Sequence, residues 1–350
     1  MIRRLATALA LLLGLTGCAS TAPFRNDHGM PIASSIASLE SVTLGGQKQW
    51  ILIRGRDASK PVLLFLHGGP GAPETSLVKH YLGALEMDFV VVSWDQLGGG
   101  KSYSDRIPPE RLTIDHMVSD GQELVEKLRQ RFGKQKILLV GHSWGTVIGT
   151  RLAQQHPERF HGYVGIAQWT NSEERELLSY QAVLGWAKET GRADAVRDLE
   201  RIGPPPYTGP DEVKRIEVLK TWLQKSGGLT HGQDNMNLYL LPLFLSSEYT
   251  LAEKANFMSG LMFSMEHLWP EAMTVDLPRT APTLDLPVLF VSGRHDFNTP
   301  LPQIERYFSQ LSAPEKEHVI FENSAHSPCY EEPERFVSLM RGLGDRWNLE

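Results

Sequence analysis

The sequence is poor in cysteine: Cys18 and Cys329 are the only two in 350 residues. A framework stapled by several disulfides is thereby excluded. It also lacks any block of basic residues. Lys+Arg 35 against Asp+Glu 41 leaves a net charge of −6, so nucleic acid is not an expected partner. There are no internal repeats and no low-complexity tract. Hydrophobic residues at 41% and charged residues at 22% are ordinary globular usage. The length suits one large domain carrying an insertion, or two small domains.

The N-terminus combines Arg3 and Arg4 with an apolar run from Leu5 to Leu15, too short to span a bilayer comfortably. The run ends in Leu15-Thr16-Gly17-Cys18, which resembles a bacterial lipoprotein signal with its lipobox. The resemblance implies removal of residues 1–17, lipid on Cys18, export, and anchoring in a membrane. Ala19 points to the outer membrane if the cell has one. The alternative is an ordinary secretory signal cleaved nearby. With Cys18 lipidated, Cys329 has no partner, and it reads as a buried packing thiol. Residues 18–35, small and polar with Pro23 and Pro31, read as a flexible tether.

From residue 36 buried strands alternate with helices. Strands are expected at Trp50–Arg54, Pro61–Leu66, Phe89–Ser93, Ile137–Val140, Tyr163–Ile166, Pro287–Ser292 and His318–Phe321. The apolar spacing predicts helices over Ile114–Phe132, with Thr113 as N-cap and Gly133 as stop, and over Thr146–Gln155 and Pro333–Leu343. The alternation implies a parallel sheet with right-handed crossovers. Between residues 169 and 284 the period is almost wholly helical. Helices are expected near Ser172–Thr190, Asp211–Gln224, Leu238–Leu245 and Leu251–Leu268, interrupted by Pro204-Pro205-Pro206. The division expected is thus core (36–168), inserted helical cap (169–284) and core again (285–350).

The chain is organised around Gly141-His142-Ser143-Trp144-Gly145. A serine flanked by glycines between a buried strand and a helix sits on a sharp corner, its hydroxyl held out at the carboxyl end of the sheet. The helix that follows aims its N-terminus at whatever that hydroxyl attacks. A serine nucleophile needs a base, an orienting group for the base, and donors for the developing oxyanion. Asp296 in Gly293-Arg294-His295-Asp296 and His326 in Ala325-His326-Ser327-Pro328 each follow a strand. They are the expected triad partners. His67-Gly68-Gly69-Pro70-Gly71 also follows a strand, and the Gly69 amide with that of Trp144 is the expected oxyanion hole, Gly68 being the alternative donor. His67 and His142 read as loop supports.

These motifs, with Asp95-Gln96-x-Gly98, resemble the prolyl-iminopeptidase-like group of α/β-hydrolases. The resemblance implies an α/β fold, the α/β-hydrolase fold with an inserted helical cap. It implies a serine hydrolase passing through an acyl-enzyme and needing no metal or organic cofactor. The expected partner is a small molecule or short peptide, with N-terminal proline as the best guess. An ester, lactone or thioester hydrolase is the rival, and a non-catalytic ligand-binding lipoprotein a third reading. The sequence departs from the group in Leu97, where arginine is common, in His142, where glycine is common, and in having no Trp-Glu pair in the cap. Glu248 and Glu266, and next Glu173 and Glu174, are the carboxylates expected to bind a substrate amine. Met258, Met262, Phe263 and Met265 are candidates for an acyl pocket.

Overall fold

The structure, a computed structural model, describes residues 19–207, 209, 211–232 and 236–349. Cys18 and the signal segment lie outside the described residues. Eight strands form one sheet in the order β1-β2-β4-β3-β5-β6-β7-β8. β1 (Ile36–Leu44) and β2 (Gln47–Gly55) are an antiparallel hairpin, and β2 runs antiparallel to β4 (Val90–Asp95). From β4 onward every pairing is parallel: β3 (Val62–Leu66), β5 (Ile137–His142), β6 (Phe160–Ile166), β7 (Val288–Gly293) and β8 (Lys316–Phe321). The central strands β3, β4, β5 and β7 are buried along their whole length, as their apolar runs require. This is the expected α/β-hydrolase sheet.

Helices cover both faces. α1 (Thr75–Leu82) follows β3, α2 (Ile114–Phe132) follows β4, and α3 (Trp144–Gln155) follows β5. The Thr113 hydroxyl accepts the His116 amide and Gly133 takes the left-handed conformation, so α2 starts and stops where its sequence signals place it. The cap holds α4 (Ser172–Glu189), α5 (Ala193–Ile202), α6 (Glu212–Lys225), α7 (Leu241–Leu245), α8 (Leu251–Ala255) and α9 (Phe257–Ala272). It has a small core of its own around Val183, Leu199, Leu219 and Trp222. The helix expected over Leu251–Leu268 is two: the Thr250–Glu253 capping box starts the first, which ends at Ala255, and α9 begins after Asn256. α10 (Leu301–Gln310) and α11 (Pro333–Arg346) complete the chain.

The stretch expected as a loose tether is docked instead. The Ser20 amide donates to the Ser247 carbonyl at 2.9 Å. Arg54 donates to the Thr21 hydroxyl at 2.6 Å and the Ala22 carbonyl at 2.8 Å, and its guanidinium lies over the Phe24 ring. A buried arginine, itself held by Glu86 at 2.8 Å, needs acceptors for its remaining donors, and residues 21–22 supply them. Composition could not show this, because small polar residues serve equally well in a linker and in a docked arm.

Candidate active site

Ser143 sits at φ 51°, ψ −117°, a strained conformation for a residue with a side chain. Two close approaches hold it there. A Cβ on Gly141 would meet the Gly145 carbonyl oxygen at 2.7 Å, and one on Gly145 would meet the His67 carbonyl oxygen at 2.7 Å. The Ser143 amide is tied to the Ile166 carbonyl of β6 at 2.9 Å. Its hydroxyl is thereby presented to His326, whose Nε2 lies 2.9 Å away. His326 Nδ1 is 2.9 Å from Asp296 Oδ2. Asp296 Oδ1 accepts the Asn298 and Thr299 amides at 2.8 Å each, and Oδ2 accepts the Thr299 hydroxyl at 2.5 Å. A carboxylate so surrounded by donors can only accept from Nδ1, which leaves the Nε2 lone pair for the serine proton. Ser143, His326 and Asp296 are all buried.

Gly69, at φ 117°, is conformationally open to glycine alone. The Gly68 amide is already engaged by Glu74 Oε1 at 3.2 Å, whereas no described residue accepts from the Gly69 amide. Of the two donors weighed for the oxyanion hole, Gly69 is therefore the one left available. Gln96 fixes the surroundings. Its amide donates to the His67 carbonyl at 3.0 Å, and its Oε1 accepts the Trp144 indole at 3.2 Å. His67 Nε2 accepts the Gln96 backbone amide at 3.0 Å, and burial holds the imidazole below its usual pKa, in keeping with a neutral acceptor. Leu97, in place of the commoner arginine, is buried in the core.

His142 does more than support a loop. Its Nδ1 is 2.7 Å from Glu74 Oε1, and its Nε2 faces the backbone carbonyl of His326 at 3.0 Å. Glu74 Oε2 also accepts the Tyr330 hydroxyl at 2.9 Å. Burial opposes charge on both members of the pair. The mutual attraction and hydrogen bonds outweigh it, so His142 is raised and Glu74 lowered from their ordinary values. The pair links the glycine loop, the serine corner and the histidine loop. Sequence reasoning missed Glu74, since a lone glutamate after a glycine motif carries no periodic signal.

A second charged cluster lies under the cap. Arg175 and Glu176 pair at 2.6 Å, Lys220 is 3.7 Å from Glu176, and Lys220 donates to Asn298 Oδ1 at 3.0 Å. Asn298 Nδ2 is 3.1 Å from His326 Nε2. Beside the cluster is a cavity of about 290 Å³ lined by Glu173, Glu176, Tyr207, Glu212 and Trp269 among others. Trp269 packs edge-on to Trp169 at 6.0 Å, and Trp169 to Trp144 at 6.2 Å, so the cavity wall reaches the serine corner through three indoles. Of the cap carboxylates expected to bind an amine, Glu173 faces this cavity, whereas Glu174 pairs with Arg306. Glu248 is buried against Lys79 at 2.6 Å and Glu266 is exposed on α9; neither is at the site. Met258 and Met262 are more than half exposed, whereas Phe263 and Met265 are half-buried.

A family profile for the alpha/beta hydrolase fold matches residues 61–204. The probable aminopeptidase YbaC of Bacillus subtilis (strain 168) is 36% identical over 312 residues, which cover 89% of this chain and 97% of that protein. The chain belongs to the α/β-hydrolase family. This hydrolase is also 29% identical to a proline iminopeptidase of Heyndrickxia coagulans, over 87% of its own length and 96% of the relative's. Among solved structures, a proline iminopeptidase-related protein from Thermus thermophilus superposes with a TM-score of 0.63 at 21% identity. That match covers 89% of the hydrolase and 98% of the other chain.

Proposed function

We propose that this hydrolase is an aminopeptidase that removes an N-terminal proline, or a similar residue, from short peptides and small amides. Ser143 Oγ bonds to the scissile carbonyl carbon while His326 Nε2 takes the hydroxyl proton. The Gly69 and Trp144 amides hold the oxyanion, and Asp296 orients and stabilises the imidazolium. His326 then gives the proton to the leaving amine as the C–N bond breaks. Water, deprotonated by the same imidazole, releases the acyl group from Ser143.

The observation that carries the reading is the hydrogen-bonded series Ser143, His326, Asp296, joined through Asn298 and Lys220 to Glu176 in the wall of a cap cavity that Glu173 and Glu212 also line. Carboxylates at that wall suit a substrate ammonium, and names of whole-length relatives point the same way. The outward placement of Met258 and Met262 weighs against the ester reading. The test compares proline anilide, N-acetylproline anilide and nitrophenyl esters with the chain from residue 19 onward. Free proline anilide should be strongly preferred. Equal cleavage of the acetylated form would rule out amine recognition and favour the esterase. Ser143→Ala should lower turnover by roughly 10⁴-fold or more.

We further propose that Cys18 is acylated after removal of residues 1–17 and that the enzyme works at a membrane, the outer one if the cell has two. The support is the Leu15-Thr16-Gly17-Cys18 signal behind Arg3, Arg4 and a short apolar run.

A further inference from the structure

The stretch from Leu241 to Met262 inverts the usual surface pattern. Its three charged residues all turn inward or are spent locally: Glu248 pairs with Lys79, Glu253 with Lys101, and Lys254 donates to the Phe244 and Ser246 carbonyls. Tyr249, between them, donates to buried Asp95 at 2.9 Å. What faces outward is mostly apolar, with Ser247, Asn256 and Ser259 as its exposed polar residues. Leu241, Phe244, Leu245, Leu251, Met258 and Met262 are 47–70% exposed, and the only other large hydrophobics exposed to this degree among the described residues are Met30 and Met87. Isolated exposed leucines mean little, but six within one short stretch, without a free charge among them, mark an interaction surface.

The position of the chain end identifies the partner. The Ser20 amide is fixed to the Ser247 carbonyl, between Leu245 and Leu251. Two residues of extended chain reach about 7 Å, so a lipid attached two residues before Ser20 would start within that reach of the Ser20–Ser247 contact. An acyl group there would bring hydrocarbon to the very face that has lost its charges. Among the described residues no helix is long and apolar enough to cross a membrane, so contact would be at the surface.

We infer that the outward face of α7, α8 and the start of α9 lies on a phospholipid bilayer, its side chains at the headgroup–acyl boundary, with the lipid on Cys18 holding it there. The inference rests on the acylation proposed above. Short amphipathic segments bind membranes in this way when an acyl chain supplies the second attachment. The cap then faces the lipid, and the opposite end of the sheet, where Glu158 precedes β6, faces water.

The full chain, expressed with its signal and reconstituted in phosphatidylethanolamine–phosphatidylglycerol vesicles, tests this with an environment-sensitive fluorophore at Leu245→Cys. Glu158→Cys is the reference. Cys329 is buried and so not readily labelled. Doxyl-labelled phospholipid should quench the label at 245 severalfold more than the one at 158, with blue-shifted emission at 245 only. Protein that floats with the vesicles while both labels stay in water overturns the orientation and leaves the anchor standing. Protein that does not float at all removes the anchor, and the orientation with it. Quenching at 245 that disappears when Phe244 and Leu251 are both changed to glutamate, with flotation retained, would tie the contact to these side chains.

Discussion

Asn298 and Ser143 address the same lone pair of His326. Asn298 Nδ2 stands 3.1 Å and Ser143 Oγ 2.9 Å from Nε2, and Lys220, which can only donate, holds the Asn298 carbonyl oxygen so that its NH₂ must face the imidazole. The base is thus shared at rest. A hydrogen bond of this kind has a net worth of about 0.5–1.5 kcal/mol. Asn298→Ala should therefore speed fluorophosphonate labelling of Ser143 by roughly two- to tenfold, the rate equivalent of that energy. Slower labelling would mean that Asn298 assists the base rather than competing for it.

The cap carboxylates give a prediction that separates binding from chemistry. Glu176 is already neutralised by Arg175 and Lys220, which leaves Glu173 and Glu212 as the cavity's available anions. Changing both to glutamine should raise KM for proline anilide by about tenfold, the value of one charge-assisted contact. Ester hydrolysis, which uses the same serine without the amine, should hardly change. A parallel loss on both substrates would point to damage to the cap instead.

The Glu74–His142 pair makes stability depend on pH from two sides. His142 is raised in the folded state, so its contribution is full below the ordinary histidine value of 6.5 and is lost as pH rises through its raised one. Glu74 is lowered, so its contribution is full above the ordinary value of 4.5 and is lost as pH falls through its lowered one. The margin between wild type and His142→Asn should accordingly be widest between pH 4.5 and 6.5. It should narrow toward either extreme in thermal melts. Within that window the loss should be about 3–5 kcal/mol, the cost of stranding one member of a buried ion pair. A margin independent of pH would show that His142 contributes by packing alone.

Gly145→Ala should be poorly tolerated. The added methyl has no room before the Leu66 and His67 carbonyl oxygens, so β3 and α3 would have to part. Overpacking of this sort costs about 1–3 kcal/mol. A melting temperature within error of wild type would show that the corner is looser than its geometry indicates.

Cys18→Ser should release the mature protein into the soluble fraction, because the apolar run before it is too short to remain as a span. Retention on membranes in high salt after signal cleavage would exclude a lipid anchor.

What could be read from the sequence followed what local rules determine. Seven of the eight strands announce themselves in the sequence, and Ser143, Asp296 and His326 each stand just past one, so strand ends located the site; β1, mixed in composition and mostly half-buried, does not. Gly133 and Thr113 bounded α2 for the same local reason. What escaped depends on contacts distant in sequence. Glu74 meets His142 and Tyr330 across 68 and 256 residues, and Lys220 meets Asn298 across 78. Glu248 shows the converse error: a cap carboxylate in a plausible stretch that turned inward to Lys79. No spacing rule separates it from Glu173, because only the packing of the cap decides which face of each helix looks into the cavity.

The docked arm has a practical corollary for handling the enzyme. A chain cut back to Ile36, where the first strand begins, would look complete by domain boundaries. It would nevertheless strip Arg54 of the Thr21 and Ala22 oxygens and of the Phe24 ring, and would uncover the Ser247 carbonyl. The excised piece behaves as a splint laid along the body, so any shortened form for assay or crystallisation should begin at Ala19.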